Sequence, residues 1–184
     1  MPGNVWKIST AKGNQRQLVR FNSKEKVNAT FSFSQGVSNY EIHHIEELAL
    51  TSTISPHVNQ IYYNPLVVDK QFDLVSYCDN HKIHVTAYTS LGNTTPNRLI
   101  NNANIHNIAK RYHFSNTFLK FLIFHLYAFY SYAKTSAQIL LRWSLQQGYS
   151  VIPKSLNPLH IKQNKELDFT IEESDMIQIS KLFE

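Results

Sequence analysis

Polar side chains able to hold a small molecule stand at four places in this chain, each within or just after a short β-like run. They are Ser38-Asn39 in "GVSNY", Gln60 in "VNQIYY", Tyr88 closing "KIHVTAY", and Lys154-Ser155 after "YSVIP". Hydroxyl and carboxamide groups both donate and accept hydrogen bonds, a phenol offers a flat face, and an ammonium is a compact point charge. Each also has a plainer reading: Ser38 as a helix cap, Tyr88 as a core aromatic, Lys154 as a solvated strand end. His43-His44 in "EIHHIEE" invites a metal, but neighbours on a helix project about 100° apart, which argues against a shared ion, and no metal is expected. Cys78, the single cysteine, excludes an internal disulfide framework and fits a reducing compartment. In "LVSYCDNHK" it reads as a small buried apolar residue rather than a reactive thiol.

The elements that must carry these residues follow from periodicity. "GVSNYEIHHIEELAL" leaves a strand and enters a helix, with Ser38 and Glu41 at capping-box spacing and Ile42, Ile45 and Leu48 at helical intervals. "HVNQIYY" is strand-like and closed by Asn64-Pro65. "QFDLVSYCDNHK" is an amphipathic helix, and "KIHVTAY" alternates Ile83, Val85 and Ala87 as a strand does. "TSAQILLRWSLQQG" has a Thr/Ser start, an apolar face through Ile139, Leu140 and Trp143, and a Gly148 stop. "YSVIPKS" is another short strand. "TIEESDMIQISKLF" opens on Thr170 and Glu173 and carries the stripe Met176, Ile179, Leu182. Strands alternating with helices of 10 to 15 residues argue parallel βαβ units. A closed eight-stranded barrel needs about 250 residues, more than the 184 present.

The net charge of +5 is not spread over this body. Residues 1–35 hold Lys7, Lys12, Arg16, Arg20, Lys24 and Lys26 against Glu25 alone, leaving twelve bases and twelve acids for the rest. No basic stripe interleaved with aromatics remains, so nucleic acid is not an expected partner. No apolar signal region follows the start, and a cytoplasmic protein is expected. The basic, nearly acid-free first 30 residues also suit a mitochondrial presequence, although their apolar residues form no helical stripe.

In order, "GVSNY", "VNQIYYNP", "AYTSLG", "LLRWSLQQGYSVIPKS" and "IKQN" before "LDFTIEESDM" resemble the second half of an aldo-keto reductase, the NADPH-dependent (β/α)8-barrel family. The resemblance covers about 145 residues. It implies an α/β fold, a partial TIM barrel of about the last four βα units over 36–184, preceded by a non-family basic tail (1–35) of poor order. It implies carbonyl-to-alcohol reduction by hydride transfer on small carbonyl substrates, with chemistry at the C-terminal strand ends. Ser38, Asn39 and Gln60 would hydrogen-bond the nicotinamide carboxamide of NADP(H), and Tyr88 would stack on its ring. Leu91 and Gly92 would line the pyrophosphate. Lys154 and Ser155 would hold the 2′-phosphate, and Gln163 and Asn164 match adenine-binding positions. Two positions depart from the pattern. His160 replaces an arginine beside the phosphate and adenine, which weakens both contacts. Ser90 replaces a proline, which loosens the turn.

The family's catalytic tetrad of Asp, Tyr, Lys and His lies in the other half of the barrel. Residues 1–35 contain no Asp, Tyr or His, so no catalytic residue is assigned. The resemblance therefore implies an oxidoreductase half without its general acid, inactive alone, or a non-catalytic NADP(H)-binding or interaction remnant. A half-barrel exposes parallel sheet edges and apolar surface, which favours self-association.

One segment interrupts the match. Residues 114–133, with the run "FLKFLIFHLYAFYSYA", separate "NIAKRYH" from "KTSAQILLRW". The run is shorter than the roughly 20 apolar residues of a membrane span, includes Lys120 and His125, and shows aromatics on every face. It reads as an insertion foreign to the pattern, extruded between two helices, with a membrane-associated protein as the other reading.

Overall fold

A computed structural model describes residues 7–10, 17–21, 34–92, 98–112 and 133–183. Its framework is a six-stranded sheet in the order β1 (Lys7–Thr10), β2 (Gln17–Phe21), β3 (Ser34–Ser38), β4 (Val58–Tyr62), β5 (His84–Tyr88) and β6 (Ser150–Val151). The last four strands are parallel, with Ser38 opposite Gln60, Gln60 opposite Thr86, and Thr86 opposite Ser150. Helices α1 (Ile42–Thr51), α2 (Val68–Asn80), α3 (Ala103–Arg111) and α4 (Ser136–Gln146) connect them, followed by α5 (Pro158–Gln163) and α6 (Glu173–Ser180). This is the α/β partial barrel that the alternation of strands and helices implies.

The strands show why one face is the core. In β4 Asn59 and Ile61 are buried while Val58, Gln60 and Tyr62 are half-buried, and β5 alternates likewise around Val85 and Ala87. A period of two turns those side chains toward the helices. Against them pack Ile45 of α1, Val75 and Cys78 of α2, Ile105 and Ile108 of α3, and Ile139, Leu140 and Trp143 of α4. Each fully buried Leu or Ile contributes about 1.5–3 kcal/mol. Trp143 stacks on Tyr63 with ring centres 5.6 Å apart and planes 12° apart, joining α4 to the loop after β4. The opposite sheet face carries Gln60, Thr86 and Tyr88 and stays partly open.

Several helix ends differ from their sequence expectation. α1 starts one turn later than the Ser38 capping box implies: Glu41 occupies the cap, and its N–H donates to His44 Nδ1 at 3.1 Å. Ser38 belongs to β3, and strand pairing outcompetes a local cap. Similarly α6 begins after Glu172 rather than from a Thr170–Glu173 box. The α4 boundaries match: Thr135 Oγ1 accepts from Gln138 N at 3.2 Å, and Gly148 takes φ +90° just past the helix. That left-handed value favours a residue without Cβ.

The basic tail contains two strands where the sequence offers no recognisable element. β1 and β2 form an antiparallel hairpin, and β2 pairs antiparallel with β3 from Gln17↔Ser38 to Phe21↔Ser34. The outer edge of β3 is thereby paired rather than open, whereas no strand adjoins the far side of β6 among the described residues. The apolar run 118–133 lies outside the described residues except for Ala133. Its described flanks meet: Lys134 N donates to Tyr112 O at 2.8 Å. Among the described residues no helix is long and apolar enough to cross a membrane.

Candidate functional site

Three neighbouring parallel strands end together, and their last residues converge. β3 runs into Asn39, whose φ of +57° is the left-handed conformation that asparagine tolerates better than most residues. This turn folds Asn39 back onto β4. Asn39 N donates to Gln60 O at 2.9 Å, and Ser38 Oγ donates to the same carbonyl at 3.1 Å. From β5, Tyr88 OH donates to Asn39 Oδ1 at 2.9 Å. Asn39 Nδ2 reaches Ser38 Oγ at 3.4 Å. Ser38, Asn39, Gln60 and Tyr88 are thus brought together as one hydrogen-bonded cluster on the open sheet face.

The cluster keeps polar capacity for a ligand. One N–H of the Asn39 carboxamide is uncommitted, and the Gln60 side-chain amide has no hydrogen-bond partner among the described residues. Tyr88 is half-buried, with Tyr62 edge-on at 5.8 Å. A heterocycle carrying a carboxamide fits such a surface: a flat ring for its plane, and amide donors and acceptors for its substituent.

Two carboxamides that sequence reading passes over position this cluster. Asn59 is fully buried and donates from Nδ2 to Tyr40 O at 2.8 Å, anchoring the turn that carries Asn39. Its Oδ1 has no hydrogen-bond partner among the described residues. Asn64, also fully buried, donates to Thr89 O at 3.1 Å and accepts from Leu66 N at 3.0 Å. It fixes Thr89, which follows Tyr88 at φ +58°. For Asn59 the available sequence signal was a carboxamide interrupting an otherwise apolar strand face, a pattern with many meanings; Asn64, in the turn after β4, offered none.

Leu91 and Gly92 lie in the turn directly after β5. Gly92 N donates to Thr89 O at 2.9 Å, and its φ of +73° needs glycine's freedom. Ser90 is buried and its Oγ donates to Ala87 O at 3.0 Å. The serine therefore adds a tie that proline cannot make, countering the looser turn expected from that exchange.

The second group of expected residues follows β6. Lys154 is exposed and makes no ion pair among the described residues, so its ammonium is available to an anion. Ser155 Oγ accepts from Asn157 N at 3.1 Å in the turn that starts α5. His160 is exposed on α5, and Gln163 and Asn164 close that helix half-buried. Gln163 O accepts from Gln138 Nε2 at 3.1 Å, which docks the end of α5 on α4. Cys78 is fully buried, and burial pushes its thiol up to about 11, which disfavours the reactive thiolate. Near the site, His43 and His44 do not diverge as adjacent helix residues ordinarily do. Their ring centres are 3.7 Å apart.

Comparison with known proteins places this architecture. The model of the "Aldo/keto reductase family" matches residues 34–184. The oxidoreductase YtbE of Bacillus subtilis, itself uncharacterised, is 33% identical over 150 residues, spanning 81% of this chain and 45% of that protein. MGS-M4, an aldo-keto reductase from a deep-sea metagenome, superposes with a TM-score of 0.61 at 31% identity, covering 77% of this chain and 44% of its own. A Gox0644 variant solved in complex with NADPH superposes with a TM-score of 0.59 at 27% identity, covering 79% and 45%. The chain thus spans less than half the length of these relatives.

Proposed function

The chain belongs to the aldo/keto reductase family, and from that premise we propose that it is an oxidoreductase component whose own residues bind NADP(H). The observation that carries this reading is the convergence of Ser38, Asn39, Gln60 and Tyr88 at the ends of three adjacent parallel strands. Barrel chemistry is built at that end of the strands. When bound, the dinucleotide supplies a hydride to the carbonyl carbon of a substrate.

Each residue has a job in this reading. The Ser38 hydroxyl and the Asn39 and Gln60 amides hold the nicotinamide carboxamide and so select the face that offers hydride. The Tyr88 ring lies against the nicotinamide plane, and its hydroxyl fixes Asn39. Leu91 and Gly92 let the backbone approach the pyrophosphate. Lys154 and Ser155 take the 2′-phosphate, and Gln163 and Asn164 take adenine. His160 contributes less than a permanently charged guanidinium would, so the 2′-phosphate is held more weakly than an arginine would hold it.

Proton delivery to the substrate oxygen comes, in the family, from the half of the barrel not matched here. General acid–base catalysis typically contributes about 10²–10⁴-fold. The chain alone is accordingly inactive or very slow on small carbonyls, and the β6 edge, unpaired among the described residues, and the sheet face favour self-association. The test is NADPH oxidation with glyoxal as substrate, measured beside a full-length family member. Turnover at least about 10²-fold lower supports the reading; turnover equal to the full-length enzyme refutes the assignment of proton delivery elsewhere.

A further inference from the structure

The first turn of α1 gathers three metal-ligating side chains that the nicotinamide site does not use. Glu41, His43 and His44 each present a ligand atom, and these atoms all lie within 4.8 Å of one another. His43 Nδ1 stands 3.5 Å from Glu41 Oε2. Two donors on a tetrahedral zinc ion, each about 2.0–2.1 Å from it, are about 3.3 Å apart. The pair is thus already close to coordination spacing. Glu41 and His43 are exposed and His44 is half-buried, so small rotamer changes close the remaining distances.

The hydrogen bonding of His44 suits this role. Its Nδ1 accepts from Glu41 N at 3.1 Å, so the ring proton of neutral His44 sits on Nε2. The lone pair that now serves the helix cap is therefore the one a metal would take, in exchange for that hydrogen bond. Two imidazoles and a carboxylate select a borderline transition-metal ion over a hard cation such as Mg²⁺. The positive end of α1 opposes a cation, so the site is weaker than one placed elsewhere. It opens on a cavity of about 440 Å³ between α1 and α2, lined also by Lys70 and Asp73, whose charges offset each other. An ion there keeps an outward position for water or an anionic ligand.

We propose that Glu41, His43 and His44 form a binding site for a divalent transition-metal ion of the zinc class. This inference does not depend on the cofactor reading. The experiment is calorimetric titration of the full chain with Zn²⁺, paired with observation of the histidine imidazole resonances. One saturable site is expected, with the His43 and His44 resonances shifted and no heat from Mg²⁺. His43→Ala and His44→Ala each lower affinity tenfold or more, Glu41→Gln lowers it several-fold, and His106→Ala on α3 leaves it unchanged. The exposed His43→Ala variant, with an unchanged circular dichroism spectrum, separates lost ligation from lost folding. The proposal is overturned by an absence of saturable zinc binding, or by unchanged affinity in the His43→Ala/His44→Ala double variant.

Discussion

Tyr112 and Asp175 make a clamp whose strength can be worked out and measured. Asp175 sits at the start of α6 with its side chain only 9% exposed, and its two oxygens are both engaged. Arg111 donates to Oδ1, and Tyr112 OH donates to Oδ2 at 2.6 Å. The Tyr112 oxygen in turn accepts from Glu172 N at 2.8 Å. Tyr112→Phe removes the phenol while keeping the ring that packs near Phe169, 5.9 Å between centres. The exposed Glu172 N–H regains water at little cost. The Asp175 oxygen loses a charge-assisted donor in a nearly dry site, a loss of about 1.5–3 kcal/mol. Asp175→Asn keeps the shape and removes the charge, costing a similar ~2 kcal/mol through both partners. The double variant should fall short of the sum of the two by about 1–2 kcal/mol, because each single change breaks the same bond. Urea unfolding followed by circular dichroism measures all four proteins. Strict additivity would show that the Tyr112–Asp175 hydrogen bond carries no energy, leaving any hold between α3 and α6 to Arg111.

Other outcomes follow from the same contacts. Tyr88→Phe keeps the stacking ring but frees Asn39, so NADPH affinity should fall about three- to tenfold, from one hydrogen bond of about 1 kcal/mol; titration calorimetry reads it, and an unchanged affinity would detach Asn39 from the site. Leu140→Ala empties a fully buried position and should cost about 3 kcal/mol, seen as a melting temperature lowered by roughly 10 °C. Alkaline pH should destabilise the fold. Burial raises Cys78 from 9.0 to about 11, and Tyr112 and Tyr149 from 10.0 to about 12. The unfolded chain loses these protons first, so their contribution is full below about pH 9 and vanishes as pH rises through 11 to 12. Inside its window each group adds a slope of at most about 1.4 kcal/mol per pH unit, and solvent screening makes the share of partly exposed Tyr112 and Tyr149 smaller. Melting curves across that range check it, and Cys78→Ala should remove the part that sets in first.

Legibility in the sequence divided along the range of the interactions. The α4 helix was readable because Thr135, the Ile139–Leu140–Trp143 face and Gly148 each act on residues a few positions away. The strand ends carrying Ser38, Gln60 and Tyr88 were readable from short ordered motifs. Ser38 misled because its hydroxyl has two local uses, and only the parallel register shows it bonded to Gln60 O rather than to α1. The hairpin of β1 and β2 was not legible, since pairing between Gln17 and Ser38 is a choice made across the sheet rather than along the chain. Asn59 and Asn64 were missed for the same reason: their partners, Tyr40 O and Thr89 O, lie on other elements. The rings of His43 and His44 lie together rather than about 100° apart, because side-chain rotamers at a first turn can fold two rings onto each other.

The central claim is that the strand-end cluster holds the nicotinamide end of NADP(H). Its most direct measurement is calorimetric titration of the chain with NADPH, repeated on Gln60→Ala, whose side chain forms no hydrogen bond with any described residue and so can be removed without breaking one. The account predicts saturable one-to-one binding that weakens about tenfold in the variant while the melting temperature stays put. Absence of saturable binding, or equal affinity in both proteins, would contradict it.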